Sequence, residues 1–406
     1  MKLFTEHKVK QFWYSFFPVV LPLVSGFIIH LLMAKSISPQ DYSVIPQALA
    51  LVGLATTIAY MINHDVAIRE IAITEDPQKV IAAFFAGRVL FTLIGAMICL
   101  VLIISSHAQG KMVKMLFALW FVANVGLNEN LSQVSRSKGK YGSSAYLYII
   151  NFLLLMAGTI YIYFHNASPL GLGTVFFVSS LITALIFSKQ ILSNFKRPKL
   201  EELKNIFIKS LPIAISGFAL FISNWFGVLY LSVTGANDDM TYYFLAGKFA
   251  GAHLILLSIL YFAYIPSLSK MNDIERNLIF KRWLAAIGLY ALISAIAVAY
   301  LVIPLFIRFW GSQYQKIQIY YLYYLPWIIF ACLSYYFGLF IYADGKAGII
   351  GRFQMILAVF TAFCVIFSYR IWGALSLPLA EGLAMMIAGA SQYYLWIKSQ
   401  RKIKKY

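Results

Sequence analysis

The chain has 406 residues, 61% of them hydrophobic and only 12% charged, with a formal net charge of +18. Soluble domains carry about 25% charged residues, so a soluble globular chain is excluded and a polytopic membrane protein is implied. The three cysteines, Cys99, Cys332 and Cys364, lie in apolar runs at neither disulfide-framework nor metal-ligand spacing.

A helix needs about 20 residues to cross roughly 30 Å of hydrocarbon. By that measure the sequence predicts twelve spans, at about 12–34, 43–62, 80–105, 112–131, 144–164, 169–188, 209–233, 242–265, 284–306, 320–342, 350–370 and 374–397. Each must be helical, because a spanning segment has to satisfy its own backbone polar groups. The first follows Lys2, Lys8 and Lys10 in the manner of a signal peptide. Its length and the spans behind it argue for an uncleaved helix. On this helix His30 shares a face with Gly26 and Pro22, so a helix break is expected beside a titratable group.

After the second span comes Asn63-His64-Asp65-Val66-Ala67-Ile68-Arg69-Glu70. Arg69 there either receives a phosphate from the cytoplasmic side or pairs with Glu70 or Asp65. Arg88 falls about eight residues into the third span, roughly 12 Å from its end at 1.5 Å per residue. Two explanations fit it: a cationic cavity, since guanidinium groups partner phosphate oxygens, or a side chain snorkelling to the interface. In the fourth span Asn124 and Asn128 share one face, with Glu129 and Gln133 on a neighbouring one. Such amides suit sugar hydroxyls and helix packing alike.

Residues 189–208 are the longest and most basic polar connection. They divide the chain into two six-helix bundles, 1–188 and 209–406, around an expected central cationic cavity. Six spans per half give both halves the same orientation, so any repeat is parallel. The second half opens at Ser210-Leu211-Pro212, and Asp238-Asp239 form an acidic turn read as solvated. In the eighth span Lys248 lies about six residues from the external end and His253 near the middle. An ammonium in hydrocarbon costs roughly 2.5–3.5 kcal/mol on insertion scales, so Lys248 asks for a cavity, a partner or a route to water. Snorkelling is the other explanation. Glu381 lies about seven residues inside the last span. It joins His30 and His253 as a candidate for a coupling ion, because intramembrane carboxylates and imidazoles serve as proton relays. Interhelical hydrogen bonding is the alternative for each. Tyrosine and tryptophan are densest at 320–342, as in an interfacial belt.

Lysine and arginine fix the expected orientation. The N-terminus, the even loops and the C-terminus hold 25 of them and the odd loops 6, which puts both termini in the cytoplasm. The excess charge is accordingly read as orientation and anionic-lipid contact, and no nucleic-acid partner is expected. There is no Walker A loop, Rossmann glycine pattern, nucleophile elbow or metal motif. Neither a cofactor, a metal site nor an enzymatic activity is expected.

Five stretches then carry a family resemblance. Leu31-Leu32-Met33-Ala34-Lys35-Ser36-Ile37-Ser38-Pro39-Gln40-Asp41-Tyr42-Ser43 resembles the turn after the first helix of polysaccharide flippases. Asp65-Val66-Ala67-Ile68-Arg69-Glu70-Ile71-Ala72 is similar to the segment after their second helix. Ser210 to Ala214, Tyr243 to Gly251 and Ile265 to Lys270 look like their seventh and eighth helices. The resemblance is to the Wzx-type O-antigen and capsule-unit flippases of the multidrug/oligosaccharidyl-lipid/polysaccharide (MOP) exporter superfamily. It implies a MATE/MurJ-like architecture in the bacterial inner membrane. It implies translocation of undecaprenyl-pyrophosphate-linked oligosaccharide units to the periplasmic leaflet by alternating access. Membrane lipids, and a polymerase and chain-length regulator of the same pathway, are the implied partners. The substrate-binding set would be Arg88, Lys248, Arg69, Lys35 and Asn128. The chain departs from the family where Lys35 replaces arginine, Ser43 replaces glycine, and Phe226-Gly227 replaces a common Asp-Arg pair. That last change puts in doubt any substrate or ion role borrowed for the seventh helix. The alternatives are a drug or metabolite antiporter of the same superfamily and a membrane polymerase or glycosyltransferase. The latter expects a long external loop with catalytic side chains, which this sequence lacks.

Overall fold

The structure, a computed structural model, describes residues 6–105, 110–165, 167–194, 198–268, 271, 273–344 and 346–403. Residues 195–197 of the expected 189–208 connection, and Ser269 and Lys270 of the helix-eight resemblance, lie outside them. The described residues form helices and contain no strand. In chain order the long helical tracts are α1 (Glu6–Ser36), α2 (Pro39–Ala59), α3 (Pro77–Ser105), α4 (111–137), α5 (Tyr141–His165), α6 (Pro169–Ile186), α7 (Leu200–Thr234), α8 (Asn237–Leu268), α9 (273–310), α10 (Ser312–Tyr323 and Leu325–Ile341), α11 (Ala347–Trp372) and α12 (Leu377–Ile403). Among the described residues nine tracts are long and apolar enough to cross a membrane, and ten if α10, bent by 51°, is one span. The other two reach the length: α4 is three consecutive segments of 11, 8 and 8 residues, and α8 has 32. These twelve tracts fall where the sequence places its twelve spans, and the chain is an all-α polytopic membrane protein.

Helix α3 shows how the sequence assigns faces. Ile81, Phe84, Arg88, Thr92, Gly95, Cys99 and Ile103 are buried, while Leu90, Met97, Val101 and Ile104 are exposed. Both sets recur at the spacing of one helical face. Exposed leucine and methionine on a helix of this length are the mark of a lipid-facing stripe, so Arg88 belongs to the inward face. Prolines bend or spare helices according to their surroundings. Pro326, two residues past Tyr324, coincides with the α10 bend, where a ring displaces the carbonyl four residues back. Pro18 and Pro22 do not break α1, which runs uninterrupted; Ser25 Oγ donates to the Pro22 carbonyl at 3.1 Å. The helix break expected beside His30 is therefore corrected: α1 is continuous past both prolines.

The chain forms two compact units, Met1–Phe218 and Ala219–Tyr406, and the boundary falls inside α7. The first half of α7 keeps company with the first unit for visible reasons. Phe207 stacks on Phe91 at 5.5 Å, and Ser210 Oγ accepts the Asn63 amide at 3.0 Å. Lys209 also pairs with Glu70 at 2.6 Å. The first unit's core gathers Ile62, Phe84, Phe85, Leu131, Val134, Leu147 and Ile206. In the second unit Ala331, Leu357, Ala384 and Ala388 form a core of small residues packed by Trp327 and Phe353.

Candidate functional site

Each unit buries ionisable groups, and their partners differ in kind. In the first unit, helix α2 ends at Ala59 and leaves carbonyls with no intrahelical donor. Arg88 fills that gap. Its guanidinium NH1 donates to Ile62 O at 3.0 Å, with Ala59 O at 3.5 Å. NH2 donates to Glu129 Oε1 at 3.1 Å, and Tyr60 Oη donates to the same oxygen at 2.9 Å. The guanidinium also lies over the Tyr60 ring, 3.9 Å from its centroid. Glu129 ends a π-helical stretch, Val122–Glu129, within α4. Arg88 is 1% exposed and neither snorkels to an interface nor presents a free fork. The geometry makes it a positioning residue that ties α2, α3 and α4 together.

The second unit repeats this arrangement. Arg276, near the start of α9, donates through NH2 to Met271 O at 2.9 Å, just past the end of α8, and through NH1 to Asp344 at the end of α10. Asp344 also accepts Trp396 Nε1 at 2.8 Å and has Lys346 at 3.5 Å. In both units, then, an arginine of the third helix joins a carbonyl beyond the second helix to a carboxylate of the fourth. A cation at a helix C-terminus also meets the negative end of the helix dipole.

His30 and His253 are satisfied in a different way. His30 Nδ1 lies 2.7 Å from Tyr42 Oη, joining α1 to α2. His253 Nε2 lies 2.7 Å from Tyr321 Oη and its Nδ1 3.0 Å from Ser294 Oγ, so both ring nitrogens meet hydroxyls from α10 and α9. These contacts match the interhelical alternative stated above. Asn128 is buried; its Nδ2 donates to Ser180 O at 2.9 Å, while Oδ1 has no partner among the described residues. Lys35 and Arg69 are exposed, Lys35 with its ammonium 6.0 Å from the Tyr163 ring centroid.

Two groups in the second unit stand apart. Lys248 is half-buried in α8, and its ammonium lies 4.7 Å from the Phe244 ring centroid. No carboxylate pairs with it among the described residues. Because α8 begins at Asn237, Lys248 lies roughly 16 Å along the helix rather than near its end. Glu381, in the second turn of α12, is buried and accepts a hydrogen bond from Tyr243 of α8, whose ring lies 5.7 Å from that of Tyr324 at the α10 bend. Two glycines make room for these tyrosines. A Cβ on Gly227 would collide with Tyr243 Oη, and one on Gly247 would lie 3.2 Å from Tyr324 Oη. Gly227→Val is accordingly expected to displace the Tyr243 hydroxyl and destabilise the protein by about 1–3 kcal/mol, as overpacking does. Thermal unfolding of the purified variant measures this, and an unchanged midpoint would refute the close contact.

Sequence reasoning missed the Arg88–Glu129 partnership and the two tyrosines beside Glu381. Glu129 had a signal, being the one carboxylate in the six spans of the first half. Intramembrane charges pair with one another. The tyrosines had none among 27.

Comparison with known proteins bears on the fold. No family model matches the sequence, and no curated protein matches it. Among solved structures, an inward-facing MATE family multidrug-resistance transporter of the MOP superfamily superposes with a TM-score of 0.74 at 12% identity, covering 97% of this chain and 99% of that one. The lipid II flippase MurJ in an inward closed conformation gives 0.75 at 12% identity, over 95% of this chain and 87% of that one. A point mutant of the Vibrio cholerae MATE transporter VcmN gives 0.65 at 11% identity, over 97% of this chain and 96% of that one. The fold is thus that of the MOP-type membrane proteins, a helical scaffold shared by MATE transporters and the MurJ flippase.

Proposed function

We propose that this protein is a flippase. It moves undecaprenyl-pyrophosphate-linked oligosaccharide units, of an O-antigen, capsule or related surface polysaccharide, from the cytoplasmic to the periplasmic leaflet of a bacterial inner membrane. The cycle is alternating access with ion coupling, no catalytic step is involved, and both termini lie in the cytoplasm. The observation that carries the reading is Lys248. An ammonium that far along a spanning helix, with no carboxylate beside it among the described residues, is suited to a mobile anion such as a pyrophosphate. The fold shared with a lipid II flippase and the resemblance at Lys35 to Ser43 and Asp65 to Ala72 support the choice of cargo. Arg88 enters as a scaffold residue, since its guanidinium nitrogens NH1 and NH2 are already engaged. A polymerase and chain-length regulator would act on the delivered units.

Deletion in a bacterium that makes a surface glycan tests the reading. Loss of the glycan, with lipid-linked single units accumulating on the cytoplasmic side, is expected. Unchanged surface glycan in a strain with no second exporter would remove the proposal. A drug antiporter of the same fold would instead leave the glycan intact and alter drug sensitivity.

A further inference from the structure

We infer that Glu381, with Tyr243 and Tyr324, forms a proton-binding site that takes H+ and rejects sodium. The inference deepens the transporter reading, because proton binding matters to transport only as its coupling step. It stands on a contrast inside the molecule. Glu129 and Asp344 are both ion-paired to arginines. Glu381 is buried, but no arginine or lysine pairs with it among the described residues; it accepts from the Tyr243 phenol, which packs against that of Tyr324. Of the elements packed on α12, α8 supplies Tyr243 and α10 supplies Tyr324. Neither α11 nor the turn at Ala374–Ser376 brings a charged group to it.

Such a carboxyl has two accessible states. Ionised, it has no countercharge among the described residues, and the hydrogen bond donated by Tyr243 offsets part of the cost of burying it. Protonated, it is neutral, and one phenol turns from donor to acceptor. The proton binds a carboxylate oxygen and returns to water, with nothing else gained or lost. A metal cation fits poorly. Hard cations need several oxygen lone pairs at once, whereas the Tyr243 hydroxyl commits its hydrogen to the carboxylate. Gly227 and Gly247 give their space to the two hydroxyls. The site also answers the departure at Phe226-Gly227: where the resembled family has an Asp-Arg pair on helix seven, this chain has the glycine that admits Tyr243 to a carboxylate on helix twelve.

The test is pH-difference infrared spectroscopy on the full-length protein in liposomes, without substrate, in potassium and in sodium chloride. The expected result is a protonated-carboxyl band that titrates identically in both salts and is absent in Glu381→Gln. In Tyr243→Phe the band should persist to about one pH unit higher, because a hydrogen bond to a charged acceptor is worth about tenfold. A band retained in Glu381→Gln, unmoved in Tyr243→Phe, or lost on adding sodium at constant pH would overturn the inference. None of these readouts depends on the cargo, so a failed glycan-export test leaves the site standing, and a failed titration leaves the flippase reading standing.

Discussion

Glu129→Ala is expected to lower the thermal unfolding midpoint on the order of 10 °C, the largest stability effect of any single replacement argued for this protein. The substitution leaves the Arg88 guanidinium buried without its countercharge and orphans the Tyr60 hydroxyl. Breaking a buried ion pair from one side costs about 3–5 kcal/mol, and each kcal/mol moves the midpoint of a 150–250-residue unit by about 2–4 °C. Arg88→Ala should cost a similar amount, since it strands Glu129 and the carbonyls at the end of α2. The double replacement Arg88→Met with Glu129→Met separates charge from packing. Removing both charges together should recover a good part of the loss, with a coupling energy of about 1–3 kcal/mol in the cycle. Fluorescence-detected thermal melts of the detergent-purified proteins measure it. Strictly additive losses would show that the pair does not act as a unit.

This expectation reverses the role that sequence alone suggests for Arg88. Its depth in an apolar helix was legible, and depth gives two readings, cavity or snorkel. What the one-dimensional pattern did not contain was the partner 41 residues away and the turn of α2 that brings two carbonyls within reach. The rough positions of the spans, by contrast, were legible, because length and apolarity are local quantities set by the thickness of hydrocarbon. Ends such as the starts of α7 and α9 lie well outside the expected bounds. Boundaries set by packing were not. The sequence puts the division of the chain in the polar stretch 189–208, where charge changes most sharply. The structure puts it within α7, because Phe207, Lys209 and Ser210 bond to the first unit. Glu381 is an intermediate case. Its presence in a span marked it as functional on energetic grounds, yet its chemistry depends on Tyr243 and Tyr324, which nothing local distinguishes from the tyrosines of an interfacial belt. The two histidines point the same way: a titratable group in a helix is visible in sequence, but the hydroxyls that satisfy it are not.

Lys248→Ala should abolish export while leaving the fold intact, the reverse of the pattern expected at Glu129. The ammonium has no ion-pair partner to strand among the described residues, and its one described contact is the Phe244 face. Removing it costs the fold at most a cation–π contact worth roughly 0.5–2 kcal/mol, and relieves the cost of a half-buried charge. The cargo, however, loses its counterion. A hydrogen-bonded charge pair that desolvates on binding is worth about 2–5 kcal/mol when one partner is truncated, which corresponds to roughly thirty- to several-thousand-fold in affinity at 1.4 kcal/mol per tenfold. Lys248→Arg keeps the charge and should retain part of the export, whereas Lys248→Glu should export nothing, because it repels the pyrophosphate it is meant to hold. The measurements are surface glycan in a deletion strain complemented with each variant, and the melting midpoint of each purified protein. Full export by Lys248→Ala would eliminate the ammonium as the anion's partner. A drop in midpoint as large as that of Glu129→Ala would instead make it a second scaffold cation.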